Sequence, residues 1–301
     1  MQTAKPLSND GLRRAILITG ASSGIGRATA LRLVRHGWRV FATVRKESDA
    51  EALRSAAQGD LEIIYLDVAD PASIAAAARE VEHRLEQRGL DALLNNAGIG
   101  MTAPVEHTSL DQLRHIFEVN LFGQIAVIQA FLPLVRRAKG RIVNIGSVGD
   151  HITPPFGGAL AASKAAFASM SSALRLELRP QGIHVCIVEP GSINTPAVDK
   201  TLGGVEEKIA SLPPDAAKRY GAAMRKAIAT FSAKEHAGSP PEAVAKVVER
   251  ALTDRNPKTR YPAGKDSRKL SLLARFLPER LLDRAALKVF GLPTTFGRPV
   301  Q

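Results

Sequence analysis

Apolar residues in this chain come as short dense runs separated by longer stretches of helical spacing. The runs AILITG (15–20), RVFATVR (39–45), LEIIYLDV (61–68), LDALLNNAG (90–98), GRIVNIGS (140–147) and IHVCIVEPG (183–191) predict strands buried on both faces. Between the first two, GRATALRLVRHG (26–37) repeats its apolar residues at helical spacing and closes on a glycine, as a C-cap does. PASIAAAAREVEHRLEQRG (71–89) opens on proline and continues in strong helix formers. A long helix is expected over roughly 109–137, another through Lys164 to Arg179, and a last strand at PKTRYPAG (257–264). Strand alternating with helix implies an α/β protein: a doubly wound parallel sheet of about seven strands in three layers.

No composition break marks a second domain. Residues 1–13 read as an N-terminal extension, 14–264 as the main domain, and 265–301 as a basic amphipathic extension of that same domain. Residues 195–238 read as a helical insertion after the sixth strand, where an α/β sheet builds the lid of its pocket.

Composition narrows the setting. The single cysteine, Cys186, excludes an internal disulfide framework and suits a reducing compartment. The N-terminal segment lacks the apolar core of a signal peptide and no run reaches spanning length, so a cytoplasmic location is expected. The net charge of +12 is concentrated late: from Arg255 to Arg298 eleven Lys/Arg face three acids. No zinc-finger or RNA-binding signature accompanies that charge, so nucleic acid is not expected as a partner. In 266–292 the basic residues mix with Leu, Phe and Val at near-helical spacing. That pattern fits either packing on the body or peripheral contact with an anionic membrane. The seven histidines show no ligand spacing, and no metal is expected.

The first strand runs directly into TGASSGIG (19–26), where a helix begins. Glycines there let the backbone turn sharply and approach a pyrophosphate, while the helix N-terminus offers free N–H donors. This is a Rossmann-type arrangement, but the spacing is Gly20-x3-Gly24-x-Gly26. That spacing, NNAG (95–98), EVNLFG (118–123), IVNIGS (142–147), Lys164 and PGSINT (190–195), in this order, resemble the short-chain dehydrogenase/reductase family over about residues 14–260. The tail from Arg260 resembles, more loosely, the retinol and 17β-hydroxysteroid dehydrogenase branch, which acts on lipophilic alcohols and ketones.

The resemblance implies an oxidoreductase that moves a hydride between a nicotinamide cofactor and an alcohol, ketone or aldehyde. It assigns the cofactor to Gly20, Ser22, Ser23, Gly24, Ile25 and Gly26 at the turn, and to Asp67 and Val68 at the adenine. Asn96, Ala97 and Gly98 then line the ribose side, and Pro190, Gly191, Ile193 and Thr195 the nicotinamide end. Where NAD(H) enzymes carry a ribose-binding acid, this chain has Val44 followed by Arg45 and Lys46. A guanidinium suits a 2′-phosphate, which favours NADP(H) over NAD(H). The family's pairing helices also imply a homodimer or homotetramer, here with an Ala- and Ser-rich helix over 161–178.

By motif, Ser147, Asn120 and Lys164 carry over as catalytic residues; the tyrosine does not. Its position, four residues before the lysine, holds Leu160. The three tyrosines, Tyr65, Tyr220 and Tyr261, all fall elsewhere, with Tyr65 expected in the core and Tyr220 in the lid. A positioned general acid contributes ~10²–10⁴-fold, so the exchange is costly. His151 is the best-placed substitute, and Lys164 itself, acting through water, is another. Three explanations stay open: an enzyme with a relocated proton donor, a cofactor-binding sensor or partner subunit without chemistry, and a deliberate Tyr→Leu exchange.

Overall fold

In the computed structural model, which describes residues 12–298, seven parallel strands form one sheet in the order β3-β2-β1-β4-β5-β6-β7. Residues 1–11, most of the N-terminal extension and the first half of the segment read as lacking a signal core, lie outside the described residues. The strands are β1 (Ala15–Ile18), β2 (Arg39–Val44), β3 (Leu61–Tyr65), β4 (Ala92–Asn95), β5 (Arg141–Ile145), β6 (His184–Pro190) and β7 (Arg260–Ala263). Their central residues have no polar side to turn to water, so helices cover both faces. On one face α1 (Gly24–Arg35), α2 (Glu47–Ala56) and α10 (Pro241–Thr253) bury Ile16, Ile18, Leu33, Trp38 and Val248. On the other, α3 (Pro71–Leu85), α5 (Gly123–Ala138) and α6 (Gly158–Leu178) close over Leu17, Phe41, Leu93, Phe131 and Phe167.

The long helix expected over 109–137 is interrupted. It consists of α4 (Leu110–Phe117), a π-helical segment Glu118–Phe122, and α5. Gly123 ends the π segment where a Cβ would lie 2.3 Å from the Val68 carbonyl oxygen, so the close approach admits only glycine. Wide turns of this kind re-aim side chains at functional sites, and this one carries Asn120. The run Leu110–Ala138 is long and apolar enough to cross a membrane by length and composition, contrary to expectation, although half of its 18-residue apolar window is buried inside the protein.

After β6 come α7 (Pro196–Leu202), α8 (Val205–Ala210) and α9 (Pro214–His236), in the region read as a lid. They enclose a separate apolar cluster with Val198, Leu202, Ile209, Met224 and Ile228. The tail forms α11 (Ser267–Phe276) and α12 (Glu279–Val289), and the tail residues Phe290 and Leu292 are buried in the same cluster. Leu272, Phe276, Leu281 and Val289 remain exposed. Packing therefore buries one end of the tail, half-buries part of its remaining apolar face, including Leu270, Leu273 and Leu282, and leaves those four residues exposed.

Candidate active site

Short loops at the carboxyl ends of β1, β4, β5 and β6 meet above the sheet, the place where open α/β folds bind ligands. The first loop is shaped by glycines. Gly20 and Gly24 adopt left-handed backbone angles (φ +64° and +54°), and a Cβ on Gly26 would lie 2.3 Å from the Gly20 carbonyl oxygen. Ser23 precedes α1 without a side-chain bond to its first turn, and no acid occupies that turn. Amide donors and the positive end of the helix dipole are thus left for a phosphate. Ser22, Ser23 and Ile25 are half-buried beside them.

A clamp of hydrogen bonds ties this turn to the loop after β4. The Thr19 hydroxyl accepts from the amides of Asn96 (2.9 Å) and Ala97 (3.0 Å), and the Asn96 side chain donates to the carbonyls of Thr19 (2.9 Å) and Gly20 (3.0 Å). Thr43 on β2 adds its hydroxyl as acceptor for the Gly20 amide at 3.1 Å. Thr19 and Thr43 were missed from sequence; their signal is a β-branched hydroxyl at a strand end otherwise wholly apolar. The β4–β5 register sets Asn95 beside Asn144, whose amides bond at 2.9 Å and continue to Ser171 at 2.7 Å. That polar seam under the site was also missed, because its members come from three separate segments.

Arg45 stands at the end of β2, 67% exposed, 3.6 Å from the Asp67 carboxylate. The structure thus pairs the residue expected at the 2′-phosphate with one expected at the adenine. Val68 is buried in the core. In the loop after β6, Thr195 packs against Gly24, Pro190 is buried, and a Cβ on Gly191 would lie 2.1 Å from the Lys265 carbonyl oxygen. Ile193 buries its side chain in the core, while its amide donates to Glu235 at 3.2 Å.

Ser147 leaves β5 in extended conformation and starts a 3₁₀ turn, Val148–Asp150, its hydroxyl accepting from the Gly149 amide at 2.9 Å. Lys164, half-buried on α6, donates to the Ile145 carbonyl at 2.9 Å, and its ammonium would be 3.7 Å from a Cβ on Gly98. Burial lowers its pKa to about 8, against the opposing influence of the negative Asp150. Asn120, fully buried, spends its amide on Ile99: Oδ1 accepts from the Ile99 amide and Nδ2 donates to its carbonyl, both at 2.9 Å, with Ser163 Oγ at 3.0 Å. It therefore braces the loop beyond Gly98 against α6.

Leu160 is the third residue of α6, one turn before Lys164, and half-buried. No tyrosine comes to its place. Tyr65, expected in the core, is exposed and donates its hydroxyl to Glu47, because β3 is the edge strand and its last side chain clears the helix layer. Tyr220 packs edge-on against Phe156 and His107, its hydroxyl bonded to Glu106. Tyr261 bonds Asp254 at 2.9 Å, on the far side of β7.

His151 does not stand free in its loop. Its Nε2 lies 3.0 Å from Glu189 and 3.3 Å from Asp150, and Arg260 reaches all three groups. Asp150, His151 and Glu189 gather their ligand-type atoms within 4.8 Å, a proximity that sequence spacing does not show. The guanidinium already among them opposes a metal cation by like-charge repulsion.

Residues 14–204 match the short chain dehydrogenase family. Among curated proteins, the chain is 36% identical to Retinol dehydrogenase 5 of Homo sapiens over 92% of its own length and 89% of that protein. It is likewise 36% identical to 17-beta-hydroxysteroid dehydrogenase type 6 of Rattus norvegicus, covering 89% of this chain and 86% of that one. Among solved structures, a short-chain dehydrogenase from Streptomyces avermitilis superposes with a TM-score of 0.71 at 28% identity, over 93% of this chain and 96% of that chain.

Proposed function

The chain belongs to the short-chain dehydrogenase family, and from that membership we propose that it is an NADP(H)-dependent oxidoreductase of lipophilic alcohols and the corresponding ketones or aldehydes. One observation carries the reading: an uncapped helix N-terminus at the end of β1 and a half-buried lysine ammonium at the end of β5 stand on either side of β4 at the same end of one sheet. The dinucleotide, when bound, supplies or accepts the hydride. The glycine turn fits it, since Gly20 and Gly26 leave no room for side chains where a pyrophosphate approaches.

The chain's own residues then divide the remaining work. The first turn of α1 holds the pyrophosphate, and Asn96, Ala97 and Gly98 line the ribose. Lys164 anchors the ribose hydroxyls and holds a proton near the substrate oxygen. Ser147 accepts from the Gly149 amide, which leaves its hydroxyl proton to donate to that oxygen. Asn120 keeps the loop after β4 in place. Arg45 takes the 2′-phosphate; its exposed pair with Asp67 is worth at most ~1 kcal/mol and is easily exchanged. Retinoid- and steroid-like substrates fit the names of the relatives and the apolar cluster formed by the helices after β6.

Leu160 favours a second reading, an NADP(H)-binding sensor or partner subunit without turnover, because it has no proton to exchange. The two readings share the fold, the crevice and a homodimeric or homotetrameric assembly. For location we propose the cytoplasm, with peripheral membrane contact through 266–292, where exposed Leu272, Phe276 and Leu281 lie among basic residues.

Calorimetry with NADPH and NADH, followed by turnover assays on retinal and steroid ketones, tests the proposal. Binding of NADPH several-fold tighter than NADH, with turnover, is expected. NADPH binding with no turnover selects the sensor reading, and no heat with either dinucleotide overturns both.

A further inference from the structure

After α12 the chain turns back onto the body at a glycine. The Leu292 amide donates to the Leu287 carbonyl at 2.8 Å and the Gly291 amide to that of Lys288 at 3.2 Å, while Gly291 takes left-handed angles (φ +65°). This paired helix ending uses a glycine at the turn and an apolar residue just after it, and here it sends Phe290 and Leu292 into the apolar cluster after β6. A Cβ on Gly291 would lie 2.6 Å from Lys226 Cε of α9, and one on Gly297 (φ +82°) 3.2 Å from the Tyr220 ring. Lys226 and Tyr220 stand about 9 Å apart along the axis of a regular helix. Residues 291–297 therefore run back along α9 toward its N-terminus.

The cluster that this segment completes shows what it holds. Its buried members come from α7, α8 and α9, as Leu202, Ile209 and Met224 do, and from the tail. Among the described residues of that cluster, Phe156, just before α6, is the one buried member from elsewhere. Its ring meets Tyr220 edge-on at 6.2 Å and Phe296 edge-on at 6.0 Å, spacings at which aromatic pairs attract. Phe156 also has left-handed angles (φ +64°), which a bulky side chain keeps only when its surroundings hold it there. Its carbonyl accepts from the Ala103 amide, in the loop after β4, at 3.0 Å. Gly157 follows, and then α6 begins, with Leu160 and Lys164 in its first two turns. Contacts thus run from the tail through Phe296 and Phe156 to two segments that border the crevice.

We propose that residues 290–297 are a strap fastening α9 to the entrance of α6, and that Phe296, acting through Phe156, is a positioning residue for the substrate side of the crevice. Without the Phe296 ring, Phe156 leaves its strained turn and its carbonyl parts from Ala103. The glycine turn lies on the other side of β4, behind its own clamp through Thr19 and Asn96, so the dinucleotide side stays as it was. The strap itself is a property of the fold; its effect on turnover rests on the oxidoreductase reading.

Amide hydrogen exchange followed by NMR tests the strap without turnover. In Phe296→Ala the Ala103 amide, held by Phe156, should lose protection about tenfold, while the Ile99 amide, held by Asn120, keeps it. Phe296→Tyr keeps the ring and restores protection, and Thr294→Ala, at an exposed position of the same segment, leaves it unchanged. Gly297→Ala strains the end of the strap with both rings intact and lowers Ala103 protection as well, so it stands if Phe296→Ala does not fold. In ketone reduction with NADPH, Phe296→Ala should raise KM about tenfold, while calorimetry gives an unchanged NADPH Kd. Unmoved Ala103 protection in both folded variants, or equal loss at Ala103 and Ile99, overturns the strap. An unchanged KM, or an NADPH Kd raised by the same factor, overturns the positioning role of Phe296. A native protein inert on every carbonyl overturns the oxidoreductase reading instead, and the Ala103 amide still decides the strap.

Discussion

The turn between β1 and α1 and the start of α6 bound the same crevice but are made differently. The turn works by what it lacks: glycines remove side chains, and uncapped amides and one clamp through Thr19 and Asn96 do the rest. Each part lies within a few residues or on a neighbouring strand, and every position matches the family motif. The start of α6 works by what side chains bring, and there one has changed. Leu160 offers no proton, while the charged groups near it come from α6, the β5 loop, β6 and β7. A backbone-built site tolerates almost no substitution, whereas a side-chain-built site can redistribute its chemistry over new residues.

Restoring the family residue breaks the contrast most sharply. Leu160→Tyr is expected to raise turnover by ~10²–10⁴-fold with NADPH affinity unchanged, read by steady-state kinetics beside calorimetry. A gain well below tenfold would mean that a residue other than the one at 160 already handles the proton. At the other end, Gly26→Val forces a side chain into the Gly20 carbonyl and the Asn96 amide, at 2.3 and 2.5 Å for the Cβ alone. Loss of NADPH binding and about 3 kcal/mol of stability are expected, measured by calorimetry and denaturant unfolding.

Lys164→Met separates stability from function. Holding this ammonium with a pKa of about 8 instead of 10.5 costs the fold ~3 kcal/mol, offset by about 1 for its bond to the Ile145 carbonyl. The variant should therefore be about 2 kcal/mol more stable at pH 7 while losing turnover. A base whose folded pKa is depressed binds fewer protons than the unfolded chain between those two values, so stability rises with pH across that window. The cost is fully present below pH 8 and gone above 10.5, and the advantage of Lys164→Met should vanish over the same range in thermal melts. The smallest effect belongs to the exposed rim: Arg45→Ser should lower the preference for NADPH over NADH about tenfold, near 1.4 kcal/mol, by calorimetry.

Legibility from sequence followed the same division. All seven strands and the glycine turn were read within a few residues of their places, because unbroken apolar runs and glycine spacing are local signals. The π segment at Glu118–Phe122 was read as plain helix, since hydrophobic period does not register one inserted residue per turn. Tyr65 was put in the core because an aromatic in a strand looks buried until the strand is known to be an edge. His151 was weighed alone beside Asp150, and its other neighbours, Glu189 and Arg260, were invisible because parallel strands bring together residues far apart in the chain.

By itself the sequence determined the class of fold, the position of the glycine turn, the family and the absence of a tyrosine at 160, all of which depend on residue identity at fixed local spacing. Tertiary structure alone decided that Arg45 pairs with Asp67, that Asn120 braces the Ile99 backbone, and that Asp150, Glu189 and Arg260 gather beside Ser147. The physical reason is that electrostatics in a protein depends on distance and burial, and neither exists until parallel strands set distant residues side by side.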